Sequence, residues 1–131
     1  MKKRMHQIAL FRKYPNEVQD ELFQKLIETA RDTQFGREHN FASINNVQQF
    51  RENVPVRNYE QLFPYIEKLL KGEQQILWPS EVSWFAKSSG TTNDRSKFIP
   101  VTSEALEDCH FKGGKDMISI YLDNYPDSKI I

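Results

Sequence analysis

Apolar residues recur every three or four positions through the first two thirds of the chain, and every second position only after Pro79. A change of period from about 3.6 to 2 predicts helices followed by strands. Ile8, Phe11 and Tyr14 share a helical spacing, Pro15 interrupts, and Asn16 is placed to cap a second helix whose first turn holds Glu17 and Asp20. Its stripe of Val18, Leu22, Leu26 or Ile27, and Ala30 leaves Lys25, Glu28 and Arg31 on the opposite face, and Gly36 supplies a stop beyond Thr33. A short helix is expected around Val47 to Asn53, then an extended Val54-Pro55-Val56. Asn58 followed by Gln61 forms a capping-box pattern ahead of Leu62, Phe63, Ile66, Leu69 and Leu70, with Gly72 at the end. Pro64 either kinks this helix or starts it afresh.

Beyond Pro79, Val82, Trp84 and Ala86 alternate with Ser83, Phe85 and Lys87, and Lys97 to Val101 forms a second extended run ended by Pro100. Thr102 or Ser103 then caps a helix with a stripe of Leu106, His110, Gly113, Met117, Ile120 and Tyr121. Gly113, on the buried side of that stripe, predicts a closely packed backbone neighbour. Asn124 to Ser128 is turn chemistry, and Lys129-Ile130-Ile131 opens another apolar run. One hairpin is marginal alone, and the wide helical stripes need a larger sheet to cover. The expectation is therefore the opening fragment of an α/β protein, α+β in this stretch: a mainly helical lead-in over 1–80, then strand, loop, strand and helix over 81–131.

Charge narrows the function. Eighteen basic side chains balance eighteen acidic ones across 131 residues, so the basic excess of a phosphate-gripping nucleic-acid binder is missing. One cysteine excludes a disulfide framework or a cysteine zinc cluster and points to a reducing cytoplasm. The longest apolar runs fall far short of the roughly 18 residues of a membrane span. Ile8 to Phe11 is likewise too short for a secretory signal behind Met1-Lys2-Lys3-Arg4, so a soluble cytoplasmic chain is expected. Apolar residues make up 38% with tyrosine counted, against roughly 45–50% in ordinary domains, so the core should be thin. Nine Phe and two Trp are its expected material, although Trp78, Trp84 and Phe85 could also stack on a base.

The segment with chemical potential is Ser88 to Ser96, nine residues without an apolar side chain between the two strands. Backbone N–H groups in a tight Ser/Gly/Thr loop, together with hydroxyls, can cradle phosphate oxygens, and Lys97 adds a positive charge. Ordinary turn chemistry uses the same residue types. No G-x-x-x-x-G-K-[ST] motif occurs, so this is not a Walker loop. Cys109 and His110 are helical neighbours about 100° apart and cannot address one atom together. His110 is expected as a core or interface residue, while His6 and His39 lie in polar surroundings without ligand spacing, and no metal site is assigned.

Phe85-Ala86-Lys87-Ser88-Ser89-Gly90-Thr91-Thr92 followed by Lys97-Phe98-Ile99-Pro100 resembles the phosphate-binding signature of the auxin-responsive promoter family of acyl-acid amido synthetases, within the adenylate-forming superfamily. Thr33-Gln34-Phe35-Gly36, Phe50 to Pro55, Tyr59-Glu60 and Gly72-Glu73 resemble the same family's lead-in. The resemblance implies ATP and Mg2+ as cofactors, a substrate carboxylate attacking the α-phosphate with release of pyrophosphate, and an amine, commonly of an amino acid, then forming the amide. It also implies that Ser88, Ser89, Gly90, Thr91 and Thr92 form the phosphate cradle, with Lys97 in the superfamily's lysine slot. Asn93-Asp94-Arg95-Ser96 departs from the family, which often has a glycine soon after the paired threonines. No catalytic residue is identified, since the acyl, amine and adenine sites are expected beyond Ile131 and the fragment alone should not turn over. The competing expectation is a non-catalytic phosphate-binding or interaction module. In either case, exposed edges can drive self-association.

Overall fold

The structure, a computed structural model, describes residues 2–89 and 96–129. In order they form α1 (Lys2–Lys13), α2 (Pro15–Ala30), α3 (Gln34–Glu38), a 3-10 turn (Phe41–Ser43), α4 (Val47–Asn53) and α5 (Tyr59–Leu70). There follow β1 (Trp84–Lys87), β2 (Phe98–Val101), a π-helical stretch (Ala105–Phe111) and α6 (Lys112–Asn124). This is a mainly helical chain with one two-stranded antiparallel sheet, in keeping with the α+β expectation. Among the described residues no helix is long and apolar enough to cross a membrane. Two compact units divide the chain, one drawn from residues 1–19 and 103–131, the other from residues 20–102.

The 20–102 unit holds every buried apolar residue among those described. One cluster joins Ile27 and Ala30 of α2 to Phe41 and Ile44, ringed by Phe23, Phe35, Phe50, Val54 and Trp78. Edge-on contacts at 5.8 Å (Phe23–Phe50) and 6.0 Å (Phe35–Phe41) are the favoured geometry for ring quadrupoles. Phenylalanine thus supplies much of a thin core, as expected. The α2 stripe is rotated from the expected one, because Phe23, Ile27 and Ala30 turn inward while Leu22 and Leu26 stay 52% and 45% exposed. Residues one position apart differ by about 100° around a helix, and the aromatic partners select the face carrying Phe23. The helix also begins at Pro15 itself, not after an Asn16 cap. A first helical position needs no N–H donor, so proline fits there.

Gly36 does not stop α2. Thr33 ends that helix and caps α3, its hydroxyl oxygen accepting from the Gly36 N–H at 3.0 Å while donating to the Ala30 carbonyl at 2.7 Å. Gly36 lies buried inside α3, where a β-carbon would stand 2.1 Å from the Ala30 carbonyl oxygen. Only glycine permits this approach.

The α5 helix follows its sequence signals at both ends. Asn58 and Gln61 form the reciprocal capping box. At the other end Gly72 adopts φ +92°, its N–H bonds to Leu69, and that of Glu73 bonds to Lys68, which completes a Schellman motif. The helix runs through Pro64 without restarting. Its buried Ile66 and Leu69 face inward, and Leu69 joins Ile76 and Val82 in a second cluster flanked by Tyr65, Leu77 and Phe85.

Strand pairing is antiparallel in the register Trp84↔Val101, Phe85↔Pro100, Ala86↔Ile99 and Lys87↔Phe98. Pro100 lies within β2 and does not end it. Trp84 is 67% exposed and Phe85 is packed, reversing the expected apolar face of β1 and leaving Trp84 outside the core.

In the other unit α1 meets α6 through a two-pronged ion pair, Arg4 Nε to Asp116 Oδ1 and Arg4 Nη2 to Asp116 Oδ2, both at 2.5 Å. Hydrogen bonding to Arg4 holds the Asp116 carboxyl below its usual range, and the same bond raises the guanidinium. Two expectations fail here. Gly113 is exposed, with no atom within 4 Å of where its β-carbon would lie, so no backbone presses on it. His110 is also exposed, against Phe111 at a ring separation of 5.4 Å, and is no core residue. Met117, on the same face of α6, is 68% exposed as well, so nothing among the described residues covers the side that the spacing marks as buried.

Candidate functional site

Ser88 and Lys97 close the base of the loop joining β1 to β2. The Ser88 N–H donates to the Lys97 carbonyl at 2.9 Å, and the Lys97 N–H donates to the Ser88 hydroxyl oxygen at 2.9 Å. Ser88 therefore continues the ladder by one more bonded pair and substitutes its side chain for its own carbonyl. Its oxygen accepts from the backbone and its O–H remains a donor type for an anion. Ser89, the next residue, is exposed. Gly90, Thr91 and Thr92 of the expected cradle lie outside the described residues.

Antiparallel ladders alternate bonded and non-bonded pairs. With Ser88 and Lys97 bonded, Ala86↔Ile99 and Trp84↔Val101 are the next bonded pairs, and Lys87↔Phe98 and Phe85↔Pro100 direct their main-chain groups outward. Pro100 is accommodated because the N–H it lacks would point off the hairpin. Phe98 has both groups, and both meet one side chain. The Tyr59 hydroxyl accepts from the Phe98 N–H at 2.8 Å and donates to the Phe98 carbonyl at 3.2 Å. Lys97 itself is half-buried, with its ammonium 5.6 Å from the centre of the Tyr59 ring.

A second clamp of the same kind sits just before β1. The Gln74 side chain accepts from the Val82 N–H at 2.9 Å and donates to the Val82 carbonyl at 3.3 Å. A hairpin too small to be stable alone is thus braced at both approaches by side chains from the helical part of its own unit. Neither Tyr59 nor Gln74 is identifiable from spacing, because each partner is set by the fold and the Tyr59 contact spans 39 residues.

Residues 87–89 and 96–98 contain two lysines, three serines and no carboxylate. That donor set fits an anion. Among the described residues no three His, Cys, Asp or Glu side chains converge in a way that could hold a metal ion.

A separate open cleft of about 330 Å³ is lined by Gln34, Glu38, Arg57, Gln61, Pro64, Tyr65 and Lys68, none of them from the loop. Its polar groups are engaged with one another. Tyr65 donates to Glu38 at 2.5 Å, Gln34 donates to Glu38 at 2.6 Å, and Lys68 donates to the Gln34 oxygen at 2.9 Å. The bond from Tyr65 first, and then that from Gln34, hold the Glu38 carboxyl below its usual range, and the Glu38 carboxylate raises the Tyr65 phenol. Behind the cleft His39 is buried, against the expectation of polar surroundings. Its ring stacks on Phe35 at 4.1 Å, and Nδ1 lies 2.8 Å from the Phe35 carbonyl. Nε2 is 3.0 Å from Arg57 Nη1. A guanidinium can only donate, so Nε2 accepts and Nδ1 carries the proton. This network builds the fold of α3 and α5 and leaves the loop as the candidate site.

The model of the GH3 family N-terminal domain matches residues 4–130. A jasmonoyl–L-amino acid synthetase of Nicotiana attenuata, JAR4, is 25% identical over 104 residues, 79% of this chain and 18% of its own length. Two Arabidopsis thaliana proteins, a probable indole-3-acetic acid-amido synthetase (GH3.1) and an indole-3-acetic acid-amido synthetase (GH3.15), are 31% and 30% identical. They cover 69% and 70% of this chain, and 15% of each of them is matched. The chain thus spans less than a fifth of the length of these relatives. With a family match across nearly all of its residues and relatives that are amido synthetases, the chain belongs to the GH3 family of acyl-acid amido synthetases.

Proposed function

We propose that this chain is the opening part of an ATP-dependent acyl-acid amido synthetase and supplies the hairpin loop that grips the nucleotide's phosphates. The observation that carries this reading is the family match over residues 4–130. The two lysines and three serines at the base of the loop support it. In the reaction a substrate carboxylate displaces pyrophosphate from ATP to give an acyl-adenylate and an amine then displaces AMP, leaving the amide. The relatives are named for indole-3-acetic acid and for jasmonoyl amino acids, so a carboxylic acid and an amino acid are the substrate classes proposed here.

Within that scheme the chain's own residues bind and orient. Ser88, Ser89, Gly90, Thr91 and Thr92 direct N–H and O–H donors at polyphosphate oxygens, and Lys97 offsets charge as pyrophosphate departs. When bound, Mg2+ would offset part of the same charge, held mainly through the phosphates, since magnesium usually keeps few protein ligands. The acid and amine pockets belong to the remainder of the protein, and the 131 residues alone are inactive. ATP–pyrophosphate exchange by the complete protein tests the reading. Thr91→Ala and Thr92→Ala should each lower exchange by about 10–100-fold, the scale of one or two lost charge-assisted bonds. Exchange indifferent to both changes would remove the loop from the mechanism and favour a non-catalytic module.

A further inference from the structure

We infer that Tyr59 is the positioning residue of the phosphate loop, holding Lys97 and the loop's base in register for the nucleotide. The inference rests on the phosphate-binding reading of that loop. Three features of this one side chain converge on the start of β2. Its hydroxyl closes both outward main-chain groups of Phe98, accepting at 2.8 Å and donating at 3.2 Å. Its ring faces the Lys97 ammonium at 5.6 Å, within cation–π range. It is the first residue of α5, enclosed by the Asn58–Gln61 capping box, so the anchor is itself held on a rigid element.

Lys97 is consequently fixed from two sides. Ser88 holds its N–H and carbonyl across the hairpin, while Tyr59 holds the next residue's N–H and carbonyl and attracts the ammonium from below. A lysine stem has four rotatable bonds, and confining it beforehand removes an ordering cost that nucleotide binding would otherwise carry. The phenol cannot be replaced by a ring alone, because a bare ring neither accepts from an amide nor donates to a carbonyl, and the hydroxyl does both. Phe63, at 5.9 Å from the Tyr59 ring, provides packing at this place but no such bond.

The test uses the complete protein, with MgATP and AMP as probes. Tyr59→Phe keeps the ring and removes the clamp, and Tyr59→Leu removes both. Thr91→Ala reports on the loop itself. Tyr59→Phe should weaken MgATP binding about five- to tenfold, the scale of one hydrogen bond, and leave AMP affinity within twofold. Tyr59→Leu should weaken MgATP further. In the amide hydrogen exchange of Tyr59→Phe, Phe98 should lose protection while Ile66 of α5 keeps it. Equal losses for ATP and AMP would reduce Tyr59 to a structural residue, as would a lower melting temperature with unchanged ATP affinity. If Thr91→Ala weakens MgATP and Tyr59→Phe does not, the positioning role falls and the loop's function stands. If the complete wild-type protein binds no MgATP, the phosphate reading and this inference fall together.

Discussion

At Gly36 the backbone of α3 comes so close to the end of α2 that a single methyl group decides the outcome. Alanine would gain about 1 kcal/mol of helix propensity, but its β-carbon would stand 2.1 Å from one carbonyl oxygen and 2.7 Å from another, both backbone atoms with little freedom to yield. Steric cost wins. Gly36→Ala should lose roughly 1–3 kcal/mol in urea unfolding, and any gain in stability would mean that the two chain segments are not held together. The sequence shows a glycine after Thr33 and an expected helix stop there; it does not show that Thr33 caps a new helix and draws Gly36 under Ala30. His39 carries the same lesson. Its neighbours in sequence are polar, while its neighbours in space are Phe35 and Arg57.

Elements with signals at both ends were the most legible. The α5 helix has its capping box, its apolar stripe and its Schellman glycine within fifteen residues, and local hydrogen bonds alone close both caps. The helix after β2 is legible only in part, because the covered side of α6 carries Asp116 and Ser119 and not the apolar face of Gly113, Met117 and Ile120. A stripe drawn at 3.6 residues per turn therefore put Gly113 on a buried face that it does not occupy. With open space around it, Gly113→Ala should raise stability by about 0.5–1 kcal/mol in thermal unfolding of the chain. A loss instead would show that another surface presses on that helix. The hairpin was legible by its alternation, yet its bracing by Tyr59 and Gln74 was not, since both clamps depend on where helix and strand meet.

Across the whole chain, burial is uneven. All buried apolar residues among those described lie between Ile27 and Val82, whereas Phe111, Met117, Ile118, Ile120 and Tyr121 are exposed. Hydrogen exchange follows such differences, because local opening costs least where little apolar surface is covered. Amides near Ala30 and Leu69 should therefore exchange slowest and those of α6 appreciably faster; uniform protection through both units would contradict this distribution. The family is legible because runs of specific residues carry it, and no contact between distant segments is needed to see it. Helix caps, strand alternation and the zero net charge were likewise set by residues near one another or by a sum over the chain. Tertiary structure alone decided which face of α2 is buried, why Gly36 must be glycine, which ring holds Lys97, and which His39 nitrogen bears its proton. Each of those depends on partners brought together by packing, and packing depends on the whole set of contacts, not on local spacing.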